Sequence, residues 1–83
     1  MDQIARTGTQ IGAALRRRRK QLGLSQAALG ARINSRQATI SSLESGDPGT
    51  KLATLLEALS ALNLELVIRV RSKGSVTQIE DIF

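Results

Sequence analysis

The chain has no cysteine and no histidine. Without cysteine there can be no disulfide framework and no thiolate metal site. Without histidine the commonest general base and metal ligand is missing. The seven carboxylates are scattered, and no nucleophile stands beside a base at a useful spacing. Catalysis is therefore not expected, and neither is a metal or a cofactor. Tryptophan and tyrosine are absent too, and phenylalanine occurs once. A core must then come from leucine, isoleucine and alanine, the makings of a small helical bundle. No run approaches the roughly 20 apolar residues of a membrane-crossing helix. The first residues lack the charged-then-apolar order of a signal peptide. A cytoplasmic location without membrane contact is the expectation.

What is present is charge of one sign. Twelve Lys and Arg against seven Asp and Glu leave a net +5. Most of the basic residues precede Leu52. Such an excess in a domain this small points to a polyanion, nucleic acid before an anionic membrane. The 83 residues make one domain with a marginal core. Dimerisation is an expected source of extra stability.

Hydrophobic spacing orders the chain. Residues 1–8 read as a loose arm. Thr9 can cap a helix over residues 10–22, with Ile11, Leu15 and Leu22 as its apolar line and Gly23 past its end. Ser25 is an N-cap, and Leu24 and Leu29 around it are placed for a hydrophobic staple. Leu29 and Ile33 give the second helix one apolar edge. Gly30 between them costs ~1 kcal/mol against alanine, which makes sense where a second helix approaches closely. Asn34 suits a left-handed turn. A third helix, residues 37–45, turns Ile40 and Leu43 inward and Gln37, Ala38, Ser41 and Ser42 to the other side. Residues 46–49, Gly-Asp-Pro-Gly, are a turn. Thr50 can cap a fourth helix over residues 51–62, with Leu52, Leu55, Leu56, Leu59 and Leu62 on one face and Asn63 as its stop.

Residues 25–46 thus read as a helix-turn-helix whose third helix can enter a DNA major groove. The spacing of Gln26, Gly30, Asn34, Ile40 and Leu43, closed by Glu44-Ser45-Gly46, resembles lambda-type phage repressors and the wider XRE family. Two positions depart from that pattern. Ser35 stands where an aliphatic is usual, and Arg36 where a capping Ser or Thr is common.

After Asn63 the period changes. Leu64, Leu66, Ile68 and Val70 alternate with Glu65, Val67, Arg69 and Arg71. Residues 64–71 therefore read as a β-strand. A lone strand ending a helical domain needs a partner for its backbone groups. The same strand of a second copy, antiparallel across a two-fold axis, supplies it. Residues 72–83 read as a flexible tail, either a partner-docking segment or a frayed end. The expected fold is all-α: a lambda-repressor-like bundle of four helices over residues 9–63, plus one C-terminal strand pairing across a dimer.

Helix-turn-helix, leucine-rich fourth helix and single strand together resemble the HipB-type antitoxins. The run Arg36-Gln37-Ala38-Thr39-Ile40-Ser41 is close to the Lys-Gln-Ala-Thr-Ile-Ser of that group. Thr9-Gln10 and Leu64-Glu65-Leu66 also fit. The resemblance implies a homodimer that represses its own operon at an inverted repeat in double-stranded DNA. It also implies a HipA-like serine/threonine kinase toxin as partner. The alternative is a stand-alone phage-type or restriction-control XRE repressor without a toxin.

Within this frame the base-contacting candidates are Arg36, Gln37, Ala38, Ser41 and Ser42. A glutamine can pair bidentately with adenine, and an alanine can touch a thymine methyl. Gln26, Thr39 and Lys51 are candidates for the DNA backbone; a lysine opening a helix is unfavourable to its dipole unless something such as a phosphate is nearby. Arg16, Arg17, Arg18, Arg19 and Lys20 point all round a helix, so the run reads as solvated surface and general attraction. Arg19 differs, because it lies four residues after Leu15, beside the apolar line. Glu44 lies four after Ile40. In the repressor family residues at these positions pair, which implies a structural Arg19–Glu44 ion pair.

Overall fold

The structure, a computed structural model, describes residues 3–71. It contains four helices: α1 (Gly8–Gln21), α2 (Gln26–Arg32), α3 (Gln37–Ser45) and α4 (Leu52–Ala61). The bundle is all-α, as the spacing predicts. The tail expected over residues 72–83 lies outside the described residues.

α1 begins earlier than Thr9. Its N-cap is Thr7, whose hydroxyl accepts the Gln10 backbone N–H at 3.1 Å. The Gln10 side chain in turn accepts the Arg6 N–H at 2.6 Å. This reciprocal arrangement resembles a capping box, and its Thr-x-x-Gln spacing outcompetes Thr9. The helix therefore takes Gly8 from the expected arm. At the other end Leu22 is the C-cap and 42% exposed, so it leaves the apolar line. Gly23 follows at φ +70°, in the left-handed region that ends helices.

Ser25 caps α2, its hydroxyl accepting the Ala28 N–H at 3.0 Å. Leu24 packs against the core that Leu29 enters, consistent with a staple. Asn34 turns the chain at φ +55°. Gly46 ends α3 at φ +80°. The fourth helix starts one residue later than expected. Lys51 rather than Thr50 is its N-cap, and no side chain bonds there.

Leu15, Leu29, Ile40 and Leu62 are fully buried, one from each of α1, α2 and α3 and one from the end of α4. Ile33, Leu43, Ala58 and Leu59 complete the core. α3 packs against both α1 and α2, and α4 against α2. The expected leucine face of α4 is only partly used. Leu59 and Leu62 are buried and Leu55 packs on the core, but Leu52 and Leu56 are exposed.

Residues 64–71 carry no strand in the described chain. Leu64 donates its N–H to the Leu59 carbonyl at 2.8 Å, closing the end of α4. A strand exists only as part of a ladder, and no second strand is present among the described residues of one chain. The alternation of Leu64, Leu66, Ile68 and Val70 is therefore not expressed as a sheet here.

Candidate nucleic-acid interface

The α2–α3 turn sets the direction of α3. The Ser35 N–H bonds to the Gly30 carbonyl at 2.8 Å. A Cβ built on Gly30 would stand 2.7 Å from the Ser35 carbonyl oxygen. Gly30 is thus required by the backbone of the turn rather than by a second helix. Arg36 forms the N-cap with its backbone alone, its carbonyl accepting the Thr39 and Ile40 N–H groups at 3.0 and 3.3 Å. Its exposed side chain is left outside the helix.

α3 divides cleanly. Ile40 and Leu43 are buried, while Gln37, Ala38 and Ser41 are exposed. Ser41 lies roughly 40° around the axis from Gln37 and Ala38 roughly 100°. Thr39 and Ser42 are half-buried and lie roughly 140–160° from Gln37. The structure therefore brings Gln37, Ala38 and Ser41 to one surface and sets Thr39 and Ser42 on the flank. Lys51 is exposed at the entry to α4.

Behind that surface runs a polar chain. Arg19 grips Glu44 with two bonds, Nε to Oε2 at 2.6 Å and Nη2 to Oε1 at 3.0 Å. Its Nη1 donates to the Leu24 carbonyl at 2.8 Å, tying in the α1–α2 turn. Glu44 Oε1 also accepts from Gln26 Nε2 at 3.2 Å. Gln26 Oε1 then accepts from Gln37 Nε2 at 3.3 Å. One connected set of bonds thus reaches from α1 to the exposed first turn of α3.

Both ends of the ion pair are nearly buried, with side-chain exposures of 9% and 4%. Burial pushes the Glu44 carboxyl up. Hydrogen bonds from Arg19 and Gln26, with the charges of Arg19 and Arg16, outweigh it and hold the group below its ordinary value. The bond to Glu44 raises Arg19 against its own desolvation. A Gln37 amide held from one side keeps a second N–H and its carbonyl oxygen for a base edge. The fork an adenine offers has that donor–acceptor pattern.

Two contributors escaped the sequence reading. Gly12 is buried where α1 crosses α3, and a Cβ there would collide with the carbonyl oxygens of Leu43 and Glu44. Its signal was the helix-disfavouring residue inside a strong helix, the same clue that singled out Gly30. Arg18 donates from Nε to the Leu62 carbonyl at 3.0 Å and so closes the end of α4. Nothing in a run of five basic residues marks that one.

Residues 15–68, more than half of the chain, match the helix-turn-helix family model. The chain belongs to the helix-turn-helix family. It is similar to a HipB variant in its complex with an O2 20mer, at 32% identity and a TM-score of 0.80, over 87% of this chain and all of that one. HipB in the HipA–HipB–O2–O3 complex is 31% identical with a TM-score of 0.79, over 86% of this chain and all of that one. The restriction-modification controller protein C.AhdI from Aeromonas hydrophila is 28% identical with a TM-score of 0.62, over 69% of this chain and 83% of its own. A search of curated protein sequences finds no significant match. The chain is a HipB-type, XRE-type DNA-binding helix-turn-helix protein. No helix among the described residues is long and apolar enough to cross a membrane.

Proposed function

We propose that this helix-turn-helix protein is a sequence-specific repressor, acting as the antitoxin of a HipA-like kinase module and autoregulating its operon. The observation that carries the DNA side is the exposed face of α3, with Gln37, Ala38 and Ser41 outward and Gln37 braced by Gln26. Gln37 reads a base, Ala38 and Ser41 flank it, and Arg36, Gln26 and Lys51 meet the backbone. Thr39 and Ser42, from the flank, act at most on the wall of the groove. The kinase partner is supported by the likeness to HipB, which occurs in a complex with HipA.

The working unit is a two-fold dimer bound to an inverted repeat, its two α3 helices about one DNA turn apart. Residues 64–71 of the two copies pair as antiparallel strands. Leu66, Val67, Ile68 and Val70, exposed in one chain, support this, as do Leu52 and Leu56. Likeness to C.AhdI supports a second reading, a controller without a toxin, which shares the same DNA surface.

Gel-shift titration on the promoter region of its own operon tests the repressor. Gln37→Ala should relax preference at one position per half-site, costing ~1–3 kcal/mol there. Equal weakening on operator and random duplex would reject base reading. Co-expression with a neighbouring kinase-like protein decides between the two readings. Growth rescue that survives Gln37→Ala supports the antitoxin; the absence of any such kinase leaves the controller.

A further inference from the structure

The basic run of α1 separates in three dimensions. Arg19 is committed to Glu44, and Arg18 to the Leu62 carbonyl. The other three, Arg16, Arg17 and Lys20, are exposed and line one shallow depression with Thr9 on α1. Glu44 and Ser45 of the last turn of α3 form its other wall. Glu44 is the acid of that depression, and its charge is already met by Arg19. Arg16 also acts on Glu44 through its charge, but with Arg19 already paired to the one lining acid, Arg16, Arg17 and Lys20 leave the depression net positive.

The position of that surface matters more than its charge. Ser45 lies four residues after Ser41 and eight after Gln37, so it continues the outward face of α3. The depression borders this face at its C-terminal end. A major groove is about 12 Å wide and walled by phosphates. Because α1 packs against α3, a duplex seated on the outward face of α3 would run one phosphate strand past the side of α1. Arg and Lys there have the reach and charge to meet it, without reading sequence. We infer that Arg16, Arg17 and Lys20 form a second, sequence-independent phosphate-binding stripe beside the recognition helix. This rests on the DNA-binding reading above and adds a surface to it.

The test is the salt dependence of binding to a mixed-sequence DNA duplex, measured for the full chain by fluorescence anisotropy. Each phosphate contact contributes about 0.9 to the slope of log K against log salt. Arg16→Gln/Arg17→Gln/Lys20→Gln should make the slope shallower by at least about one unit. Preference for operator over mixed sequence should stay unchanged. The charge-preserving Arg16→Lys/Arg17→Lys variant should keep the wild-type slope. A smaller change in the triple variant, with wild type binding normally, overturns the stripe alone. Loss of slope in the lysine variant also overturns it, because charge would not be the cause. A wild-type chain that leaves duplex unbound at low salt overturns the DNA-binding reading and the stripe together.

Discussion

In α2, α3 and the turns between them, every large aliphatic residue is buried: Leu29, Ile33, Ile40 and Leu43. In α4 and the segment after it, Leu52, Leu56, Leu66, Val67, Ile68 and Val70 are exposed. Both regions carry a regular apolar pattern in the sequence. Only the first is satisfied completely within one chain. The helix-turn-helix is a closed unit, braced by α1 and by a nearly buried ion pair. The C-terminal region is only partly closed: Ala58, Leu59 and Leu62 enter the core, while Leu52, Leu56 and the side chains at 66–68 and 70 do not. Burying a large aliphatic residue is worth about 1.5–3 kcal/mol, a stabilisation that the exposed residues do not contribute within one chain. Burial thus separates a fully packed helix-turn-helix from a C-terminal region that is packed only through Ala58, Leu59 and Leu62 and the partly buried Leu55 and Leu64.

The sharpest way to break the closed unit is at its ion pair. Glu44→Ala leaves Arg19 charged, nearly buried and without its acid, and should destabilise by about 3–5 kcal/mol. Thermal melts of both single variants and of the double variant check this, and the double should fall short of the sum. The pH dependence follows from the lowered Glu44. The unfolded carboxyl takes up a proton near its ordinary value of about 4.3. The folded one resists until a lower pH. The contribution of the pair is complete above the ordinary value and disappears as pH falls through the folded one. In Glu44→Ala the acid limb of stability should flatten.

Gly12→Ala comes next. The added methyl meets the backbone of α3, which cannot rotate away as a side chain does. A loss of about 1–3 kcal/mol is expected, in spite of alanine's better helix propensity. A melting temperature at or above wild type would show that α1 and α3 can slide apart freely.

The comparison itself is tested by two leucines of one helix. Leu59→Ala should cost about 2–5 kcal/mol at any protein concentration. Leu52→Ala should change stability by no more than ~0.5 kcal/mol in dilute monomer. In the proposed dimer, Leu52→Ala should weaken association in sedimentation. Truncation after Asn63 should do the same while leaving the four helices folded. A truncated chain as dimeric as the full one would remove residues 64–71 from the assembly.

Much of the fold was legible because helix signals are local. Ser25 as cap, Asn34 as left-handed turn, Gly46 as stop and the spacing of Ile40 and Leu43 each depend on a few neighbouring residues. The two misplaced caps were local contests between good candidates, whereas the strand expected over residues 64–71 depends on a partner that no local signal supplies. Thr7 and Thr9 can both cap, and the bond from Arg6 to the Gln10 side chain settles the matter for Thr7. Thr50 looked a better cap than Lys51, but the turn formed by Asp47 and Thr50 sets the start of α4 instead, with Thr50 N–H bonded to the Asp47 carbonyl at 3.1 Å.

By itself the sequence determined a basic four-helix domain with a polar α3 face and with neither cysteine nor histidine. Those properties follow from composition and from the 3.6-residue period, which act within a turn or two. Only the tertiary structure decided which of five adjacent basic residues is nearly buried, which closes α4 and which three share a surface. The same holds for the join of Gln26 to Gln37, and for the split of the α4 leucines into buried and exposed. These depend on where a second element crosses, and helical spacing alone carries no information about that crossing.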